Sequence, residues 1–264
     1  MTHPDADSAY IITGTTRGIG RALAQAVLAR GKQLFAISRT PRMQQDSRRH
    51  DYACDLGDPD QIRNTMTAVM TAIGRMACAD VILINNAGVL TPIGPIEKAT
   101  DDQIRQHLAV NLQAPALLTA QFIRLGDHVP GRRRIINITS GAGEHPYAGW
   151  ALYCASKAAV NMLTASVALE QRERERPVGV CAVAPGVVDT DMQHVIRCTS
   201  GADFPEREHF ARLHAEGRLA PPEQVADLIL ELDIRGLLAS GGLYDLRDAR
   251  RREDGWDIRP RNLA

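Results

Sequence analysis

The sequence has no excess of charge of either sign, because 31 lysine and arginine residues balance 31 aspartate and glutamate residues in a chain of 264. A chain without net positive charge gives no support for binding to nucleic acid or to an anionic membrane. No apolar stretch approaches the roughly 18 residues of a membrane-spanning helix. The N-terminus, MTHPDADS, is too short and polar for a signal peptide or an anchor. We expect a cytoplasmic protein that binds a small molecule.

Cysteine is scarce as well. The five cysteines are scattered along the chain, and none stands in Cys-x-x-Cys spacing. This distribution argues against a disulfide framework and against a thiolate metal site, so we expect reduced thiols and no metal. The hydrophobic content of 44% and the charged content of 23% are ordinary for a globular protein with a substantial core.

Short apolar runs alternate with helical patterns along most of the chain. Alternation of this kind predicts an α/β fold in one domain, with a doubly wound parallel sheet of about seven strands and helices on both faces. Ligands of such sheets bind beyond the carboxyl ends of the strands. The predicted strands cover residues 9–13, 33–38, 50–54, 80–85, 134–139, 178–184 and 242–246.

Three segments are predicted outside this regular pattern. Residues 1–8 are expected to be a disordered N-terminus that precedes a domain over 9–246. Residues 191–220 are expected to form a substrate-binding loop or lid, because they contain no strand pattern but carry several apolar residues. Residues 247–264 are dense in arginine and aspartate and are expected to be a tail that is poorly ordered or packed on a partner.

A glycine-rich turn, Gly14-Thr15-Thr16-Arg17-Gly18-Ile19-Gly20, links the first strand to a helix. Glycines permit a tight turn and a close approach of backbone to phosphate, and the helix N-terminus offers free N–H groups to an anion. We interpret the turn as part of a nucleotide site. The alternative, an ordinary strand-to-helix turn, fits the downstream pattern less well.

The end of the second strand lacks an acid. A carboxylate there would hold the ribose hydroxyls of NAD(H), whereas arginine accepts the 2′-phosphate of NADP(H). This chain has Ser38, Arg39 and Thr40, and Arg17 lies in the glycine turn. The four side chains predict NADP(H). The alternative is that both arginines are solvated surface residues.

Two further strand ends carry candidate cofactor contacts. Asp55 follows the third strand, where it could meet an adenine edge. The fourth strand ends in Asn85-Asn86-Ala87-Gly88, whose small residues allow the chain to pass close to a flat ring. For Asn85, hydrogen bonding between neighbouring strand ends is an equally good interpretation.

Tyr153 and Lys157 are four residues apart and share one face of a predicted helix. A nearby ammonium favours phenolate and would lower the pKa of the phenol, which makes Tyr153 a candidate general acid or base. The chain has three lysines among its 31 basic residues, so a lysine at this position suggests a need for a compact ammonium. Ser140 follows the preceding strand and can fold back toward Tyr153.

Asn111 stands four residues before Pro115 in a predicted helix. Because proline has no N–H and its ring displaces the carbonyl four residues earlier, we expect a kink with the Asn111 carbonyl free to bind water. Such a water suggests a proton path from solvent through Lys157 to Tyr153. The alternative is a kink that only fits the helix to the sheet.

Together, these motifs resemble the short-chain dehydrogenase/reductase family: TGTTRGIG at 13–20, NNAG at 85–88, Asn111, Ser140, YCASK at 153–157 and PGVVDT at 185–190. The resemblance implies a Rossmann fold, a homodimer or homotetramer, and a catalytic tetrad of Asn111, Ser140, Tyr153 and Lys157. With the motifs above, it assigns NADP(H) binding to Gly14, Thr16, Arg17, Gly18, Ile19, Gly20, Ser38, Arg39, Thr40, Asp55, Leu56, Asn86, Ala87, Gly88, Tyr153, Lys157, Pro185, Gly186, Val188 and Thr190.

Within the family, the stretches LINNAGVLTPIGPIEKA, INITSGAGEHPYAGWALYCASKAAVNM and APGVVDTDMQHVIR are similar to the sepiapterin reductase-like branch, in particular to bacterial benzil reductases. The resemblance implies reduction of a small ketone or 1,2-diketone in an apolar pocket near Tyr147, Trp150, Met192 and Phe204. Asp245 could match the acid that grips a pterin in sepiapterin reductase, or it could simply end a strand. A pterin side-chain diketone and a 3-oxoacyl thioester remain alternative substrates. A non-catalytic NADP-binding redox sensor is a further alternative, against which the intact tetrad argues.

Overall fold

The protein folds around one parallel sheet of seven strands, in the order β3-β2-β1-β4-β5-β6-β7. The computed structural model describes residues 8–41, 46–76, 78–253 and 255–261. Each pair of neighbouring strands in this sheet is parallel. The strands are β1 (Ser8–Thr13), β2 (Gln33–Ser38), β3 (Arg49–Ala53), β4 (Asp80–Asn85), β5 (Arg133–Ile138), β6 (Gly179–Ala184) and β7 (Leu243–Asp245).

The strand order reverses at β1. The chain runs outward from β1 through β2 to β3 and then returns to place β4 on the other side of β1. A crevice opens beyond the carboxyl ends of the strands at such a switch point, because the connections leave β1 and β4 in opposite directions. The predicted class, a doubly wound parallel sheet of about seven strands, is confirmed.

Helices cover both faces of the sheet. On one face, α1 packs against α8 over Ile12, Ile82 and Val183. On the other face, α2 packs against α4 over Ile11 and Phe35. The helices are α1 (Gly18–Ala29), α2 (Pro59–Met76), α3 (Asp101–Leu108), α4 (Ala114–Leu125), α5 (Ala151–Arg172), α6 (Asp191–Cys198), α7 (Arg207–Ala215) and α8 (Pro222–Ile234).

A π-helical turn, Ala109–Gln113, joins α3 to α4. The N–H of Ala114 bonds the carbonyl of Ala109, five residues back, and Pro115 stands in the first turn of α4. The structure therefore has an irregular turn where the Pro115 pattern predicts a kink. Further upstream, Thr100 opens α3 with the reciprocal side-chain bonds of a capping box.

The segment 191–220, predicted as a loop, contains the helices α6 and α7. Its apolar residues explain the difference, since they recur at helical spacing and bury Ile196, Phe210 and Leu213 against the aromatic side chains of the cavity wall. The segment adds no strand to the sheet, and its end forms a single bridge between Ala220 and Val188.

Residues 247–253 and 255–261 fold back on their own domain, whereas the sequence predicts a tail that is poorly ordered or packed on a partner. Packing on a partner stays a prediction. Arg250–Arg252 (β8) and Gly255–Asp257 (β9) form an antiparallel hairpin. The opposite charges pair within the chain, and Arg261 bridges to the edge strand at Leu243. At the other end, Ser8 belongs to β1, while the rest of the predicted disordered segment lies outside the described residues.

Helix α5 is, among the described helices, long and apolar enough to cross a membrane by length and composition alone. It packs on β6, and it buries Lys157, Asn161 and Thr164 in the interior of the domain. Buried polar side chains that bond neighbouring strands are typical of a core helix.

Candidate active site

A cavity of about 1140 Å³ opens at the carboxyl ends of the strands. The loops that follow β1, β2, β3, β4, β5 and β6 all contribute to its wall, as expected for a doubly wound sheet. Every residue to which the sequence assigned cofactor binding lies in this wall: Gly14, Thr16, Arg17, Gly18, Ile19, Gly20, Ser38, Arg39, Thr40, Asp55, Leu56, Asn86, Ala87, Gly88, Tyr153, Lys157, Pro185, Gly186, Val188 and Thr190.

The glycine turn brings the start of α1 to this cavity. Helix α1 begins at Gly18, and the residue before it, Arg17, makes no side-chain cap. The first N–H groups of the helix therefore carry no side-chain acceptor from the cap, and they lie at the cavity wall with a positive dipole end. Gly20 is required by space: a Cβ on it would lie 2.2 Å from the Gly14 carbonyl oxygen. This arrangement fits a phosphate group.

The end of β2 offers donors and no carboxylate. The buried Ser38 hydroxyl has no hydrogen-bond partner among the described residues, and the exposed Arg39 and Thr40 follow it in the cavity wall. Arg17 stands 3.8 Å from Asp191 in an ion pair that is about 70% exposed on both sides, too solvated to hold the guanidinium firmly. An orphaned hydroxyl that shares the cavity wall with two guanidiniums fits the 2′-phosphate of an adenine dinucleotide.

Asparagine side chains support the floor of the cavity. The Asn86 amide donates to the Thr13 carbonyl over 2.9 Å, and the Thr13 hydroxyl accepts the backbone N–H groups of Asn86 and Ala87. Asn85 donates to Asn137 over 2.8 Å, and therefore ties β4 to β5. Of the two interpretations of Asn85, the structure shows the one in which it joins neighbouring strand ends.

Tyr153, Lys157 and Ser140 meet in the cavity. Lys157 Nζ lies 5.8 Å from the centre of the Tyr153 ring and donates to the Ile138 carbonyl over 2.9 Å. Burial raises the pKa of Tyr153 to about 12, against the opposing effect of a hydrogen bond with Ser140. Burial lowers the pKa of Lys157 to about 8. The expected lowering of the phenol pKa is therefore not seen, because desolvation outweighs the hydrogen bond with Ser140.

Asn111 lies beside the cavity rather than in its wall. It is buried, its Oδ1 accepts the Val89 N–H over 2.8 Å, and its Nδ2 donates to the Val89 carbonyl over 2.7 Å. A Cβ on Gly88 would be 3.4 Å from Asn111 Oδ1 and 3.8 Å from Lys157 Nζ. The Asn111 side chain and the Lys157 ammonium therefore both border Gly88. The proton path through water on the Asn111 backbone carbonyl stays a prediction.

His107 is a site residue that the sequence reasoning missed. Its Nδ1 lies 2.9 Å from the Thr91 carbonyl, which can only accept, so Nδ1 carries the proton and Nε2 accepts from Asn111 Nδ2 over 3.0 Å. Burial lowers the pKa of His107, which keeps this neutral tautomer. His107 precedes Asn111 by four residues, and this helical spacing was the available signal.

Aromatic side chains form the wall beside Tyr153. The Trp150 ring lies 5.6 Å from the Tyr153 ring and 5.2 Å from the Tyr147 ring, centre to centre. Met192 and Phe210 complete the lining. Phe204, predicted for the pocket, is fully buried and stacks on Trp150 at 4.4 Å from behind, so it supports the wall without lining the cavity.

Asp245 does not reach the cavity, which corrects its assignment as a substrate contact. Its side chain is buried and pairs with Arg247 and Arg261. Burial alone would raise the pKa of Asp245, but the hydrogen bonds from Arg247 outweigh burial, and the pKa lies below its usual value. The ionised carboxylate is therefore paired with two guanidiniums inside the protein, and Arg247, rather than Asp245, lines the cavity.

Residues 8–200 match the sequence profile of the short chain dehydrogenase family, and the protein belongs to that family. The chain is 36% identical over 239 residues to a benzil reductase ((S)-benzoin forming) of Bacillus subtilis, which covers 90% of this chain and 98% of the relative. It is 40% identical over 229 residues to the Bacillus cereus benzil reductase, over 84% and 92%. A sepiapterin reductase of Meriones unguiculatus is 32% identical over 90% and 95% of the two chains.

Solved structures share this architecture. The KRED1-Pglu enzyme superposes with a TM-score of 0.79 at 28% identity, over 89% of this chain and 99% of its own. A putative NAD(P)-dependent gluconate 5-dehydrogenase of Beutenbergia cavernae, solved with bound NADP, superposes with a TM-score of 0.73 at 27% identity, over 92% and 96%. The family binds a nicotinamide cofactor, and this chain is an oxidoreductase of that family.

Proposed function

We propose that the protein is an NADPH-dependent carbonyl reductase that acts on a small ketone or 1,2-diketone. The observation that carries the proposal is the meeting of Ser140, Tyr153 and Lys157 in one cavity with the N-terminal end of α1. The aromatic wall of Tyr147 and Trp150 favours aromatic diketones, and the names of the benzil reductase relatives support this choice.

Different residues of the chain would bind different parts of the cofactor. The start of α1 would hold the pyrophosphate, while Ser38, Arg39 and Arg17 would hold the 2′-phosphate. Lys157 would hold the nicotinamide ribose, and the small residues from Pro185 to Thr190 would pass beside the ring. NADPH, when bound, supplies a hydride equivalent for the carbonyl carbon.

Ser140 and Tyr153 bind the carbonyl oxygen of the substrate in this proposal. Because its pKa lies near 12, Tyr153 carries its proton at every physiological pH and can donate it as the oxygen gains negative charge. Lys157 supplies positive charge beside the phenolate that results. Water near Asn111 would return the proton through Lys157, and His107 fixes the Asn111 amide for that task.

The test of this proposal is NADPH consumption by the purified protein with benzil, 1-phenyl-1,2-propanedione, sepiapterin and an acetoacetyl thioester. We expect the aromatic diketones to be the best substrates. Sepiapterin ranks below them, because Asp245, the candidate pterin contact, is turned into the protein. Tight NADPH binding without turnover of any carbonyl would favour the redox-sensor alternative.

Arg39→Ala is expected to lower kcat/KM for NADPH about 10- to 100-fold, because a charge-assisted hydrogen bond contributes about 1.5–3 kcal/mol. The value for NADH, which has no 2′-phosphate, should change less than about threefold. Arg63→Ala is the matched control, since Arg63 is exposed on α2 and pairs only with Asp60 among the described residues. A parallel loss with both cofactors would contradict the assignment of the phosphate to Arg39.

The pH dependence of kcat/KM for NADPH is expected to report Lys157. This ratio reflects the cofactor-free enzyme, in which the Lys157 pKa is about 8 and the Tyr153 pKa about 12. Lys157 is charged below its pKa and neutral above it, so the ratio should fall up to tenfold per pH unit above about pH 8. A ratio that stays constant to pH 10, with folding checked by circular dichroism, would exclude Lys157 as the group that titrates.

We also propose a cytoplasmic homodimer or homotetramer. The outer face of α5 exposes Met162 by 59% and Leu169 by 58%, and these side chains lie two turns apart on one stripe. A second copy of α5 would cover this apolar stripe, and light scattering of the purified protein measures whether it does.

A further inference from the structure

An arginine stands at the substrate end of the cavity. Arg247 follows β7, and its stem crosses Gly186: a Cβ on that glycine would lie 3.1 Å from Arg247 Cγ. On the other side, a Cβ on Gly141, the neighbour of Ser140, would lie 3.4 Å from Arg247 Nη2. Arg247 thus lies between the loop beside the proposed nicotinamide site and the serine of the catalytic group.

The guanidinium is fixed from behind. Arg247 Nε donates to the two carboxylate oxygens of Asp245 over 2.9 and 3.1 Å, and Nη2 donates to the same group. The Asp245 side chain is 1% exposed, whereas the Arg247 side chain is 56% exposed. A buried carboxylate therefore presents a partly exposed guanidinium to the cavity, and Nη1 has no partner among the described residues.

The C-terminal residues hold this pair in place. Arg261 pairs with Asp245 over 3.0 Å, with Asp248 over 2.8 Å and with Glu144 over 3.0 Å. Arg261 also donates its backbone N–H to Leu243 over 2.7 Å. Asp245 cannot turn into the cavity while it is bound on two sides, so the charge that this end offers to a ligand is positive.

None of the acidic residues in the described part of the lining pairs with Arg247. The acidic residue nearest to Ser140 in sequence, Glu144, is not in the wall and binds Arg261. A positive donor near Ser140 calls for an acceptor oxygen on the ligand, carried by a carbon adjacent to the carbonyl that Ser140 and Tyr153 bind.

We propose that Arg247 binds the oxygen on the carbon adjacent to the reacting carbonyl, and that it thereby selects 1,2-dicarbonyl substrates, 2-oxo carboxylates included, over monoketones. The assignment rests on the proposed carbonyl reductase function. In this proposal Arg247 contacts the substrate and determines specificity. Asp245, the candidate pterin contact, does not reach the cavity.

The test compares kcat/KM for benzil and for deoxybenzoin, which lacks the second carbonyl. Arg247→Met should lower kcat/KM for benzil about 10- to 100-fold, as expected for a lost hydrogen bond from a charged donor. It should change kcat/KM for deoxybenzoin less than about threefold. The ratio cancels the greater intrinsic reactivity of benzil, because it is compared between variant and parent. Equal losses for both substrates would overturn the proposal and leave Arg247 a structural residue.

Two further variants serve as controls for this comparison. Arg247→Lys keeps a cation beside Asp245 but loses the planar fork, and it should keep the parent's thermal midpoint while losing part of the preference for benzil. Arg252→Met removes an exposed arginine of the β8–β9 hairpin that pairs with Asp257, and should leave both substrates unchanged. An unchanged benzil preference in Arg247→Lys and Arg247→Met alike would refute the role of Arg247.

A binding measurement separates this proposal from the proposed function. Calorimetric titration of benzoylformate into the protein saturated with NADP⁺ needs no turnover. We expect a Kd at least about tenfold weaker in Arg247→Met than in the parent, with Arg252→Met unchanged. Equal affinity in the parent and in Arg247→Met would overturn the assignment. Absent turnover together with this loss of affinity would instead count against the reductase function alone.

Discussion

Tyr153→Phe is expected to lower kcat for carbonyl reduction about 10²- to 10⁴-fold, the usual contribution of a positioned general acid. The hydroxyl hydrogen-bonds Ser140 and carries the proton for the substrate oxygen, while the ring packs against Trp150. Phenylalanine keeps that packing, so Kd for NADPH should stay within about threefold. Stopped-flow turnover and fluorescence titration of NADPH measure the two effects on the same protein.

The control for this variant is Tyr52→Phe. Tyr52 lies on β3, stacks near Phe35 and is absent from the cavity wall, so its hydroxyl has no part in the proposed reaction. Turnover by Tyr52→Phe should match that of the parent protein. If Tyr153→Phe kept more than about a tenth of the parent's turnover, another group would have to donate the proton.

Gly20→Ala is expected to weaken NADPH binding at least about tenfold and to destabilise the fold. Its new methyl group would lie 2.2 Å from the Gly14 carbonyl oxygen and 2.4 Å from Asn86 Nδ2. Neither neighbour can yield, since Gly14 donates its N–H to Ile37 over 2.8 Å and Asn86 donates to Thr13 over 2.9 Å. The start of α1 must therefore move away from the phosphate position. Overpacking of this kind costs about 1–3 kcal/mol.

A drop in the midpoint of thermal unfolding measures the destabilisation, at roughly 2–4 °C per kcal/mol for a chain of this size. Gly201→Ala is the matched control, because a Cβ at Gly201 meets no atom within 4 Å. That control should stay within about 0.5 kcal/mol of the parent. A Gly20→Ala protein with the parent's midpoint and NADPH affinity would show that the turn is looser than its contacts indicate.

The sequence predicts the sheet and the candidate catalytic group because both rest on short-range patterns. Continuous apolar runs such as 80–85 mark strands buried on both faces, and each glycine or serine that follows a strand falls at the same edge. Tyr153 and Lys157 are four residues apart on one helix, so they lie on the same face of it however the rest of the chain folds. Their recognition therefore required no knowledge of long-range contacts.

The remaining features depend on contacts between distant residues. Arg261 pairs with Asp245 because the C-terminal residues fold back on the edge of the sheet, and no local sequence pattern predicts this. The Tyr153 pKa depends on how fully the phenol is desolvated, which composition and spacing do not give. His107 was within reach, since it stands one helical turn before Asn111, but its proton position follows only from the Thr91 carbonyl.

The reversal of strand order at β1 also divides the cavity between separate parts of the chain. The wall proposed for the adenosine and phosphates comes mainly from residues 14–58, whereas most of the wall around the candidate reacting groups comes from residues after 85, Arg247 included. Mutations that alter preference for the cofactor and mutations that alter preference for the substrate therefore fall in different stretches of the gene. Recombination between relatives at the start of β4 would exchange one preference and keep the other.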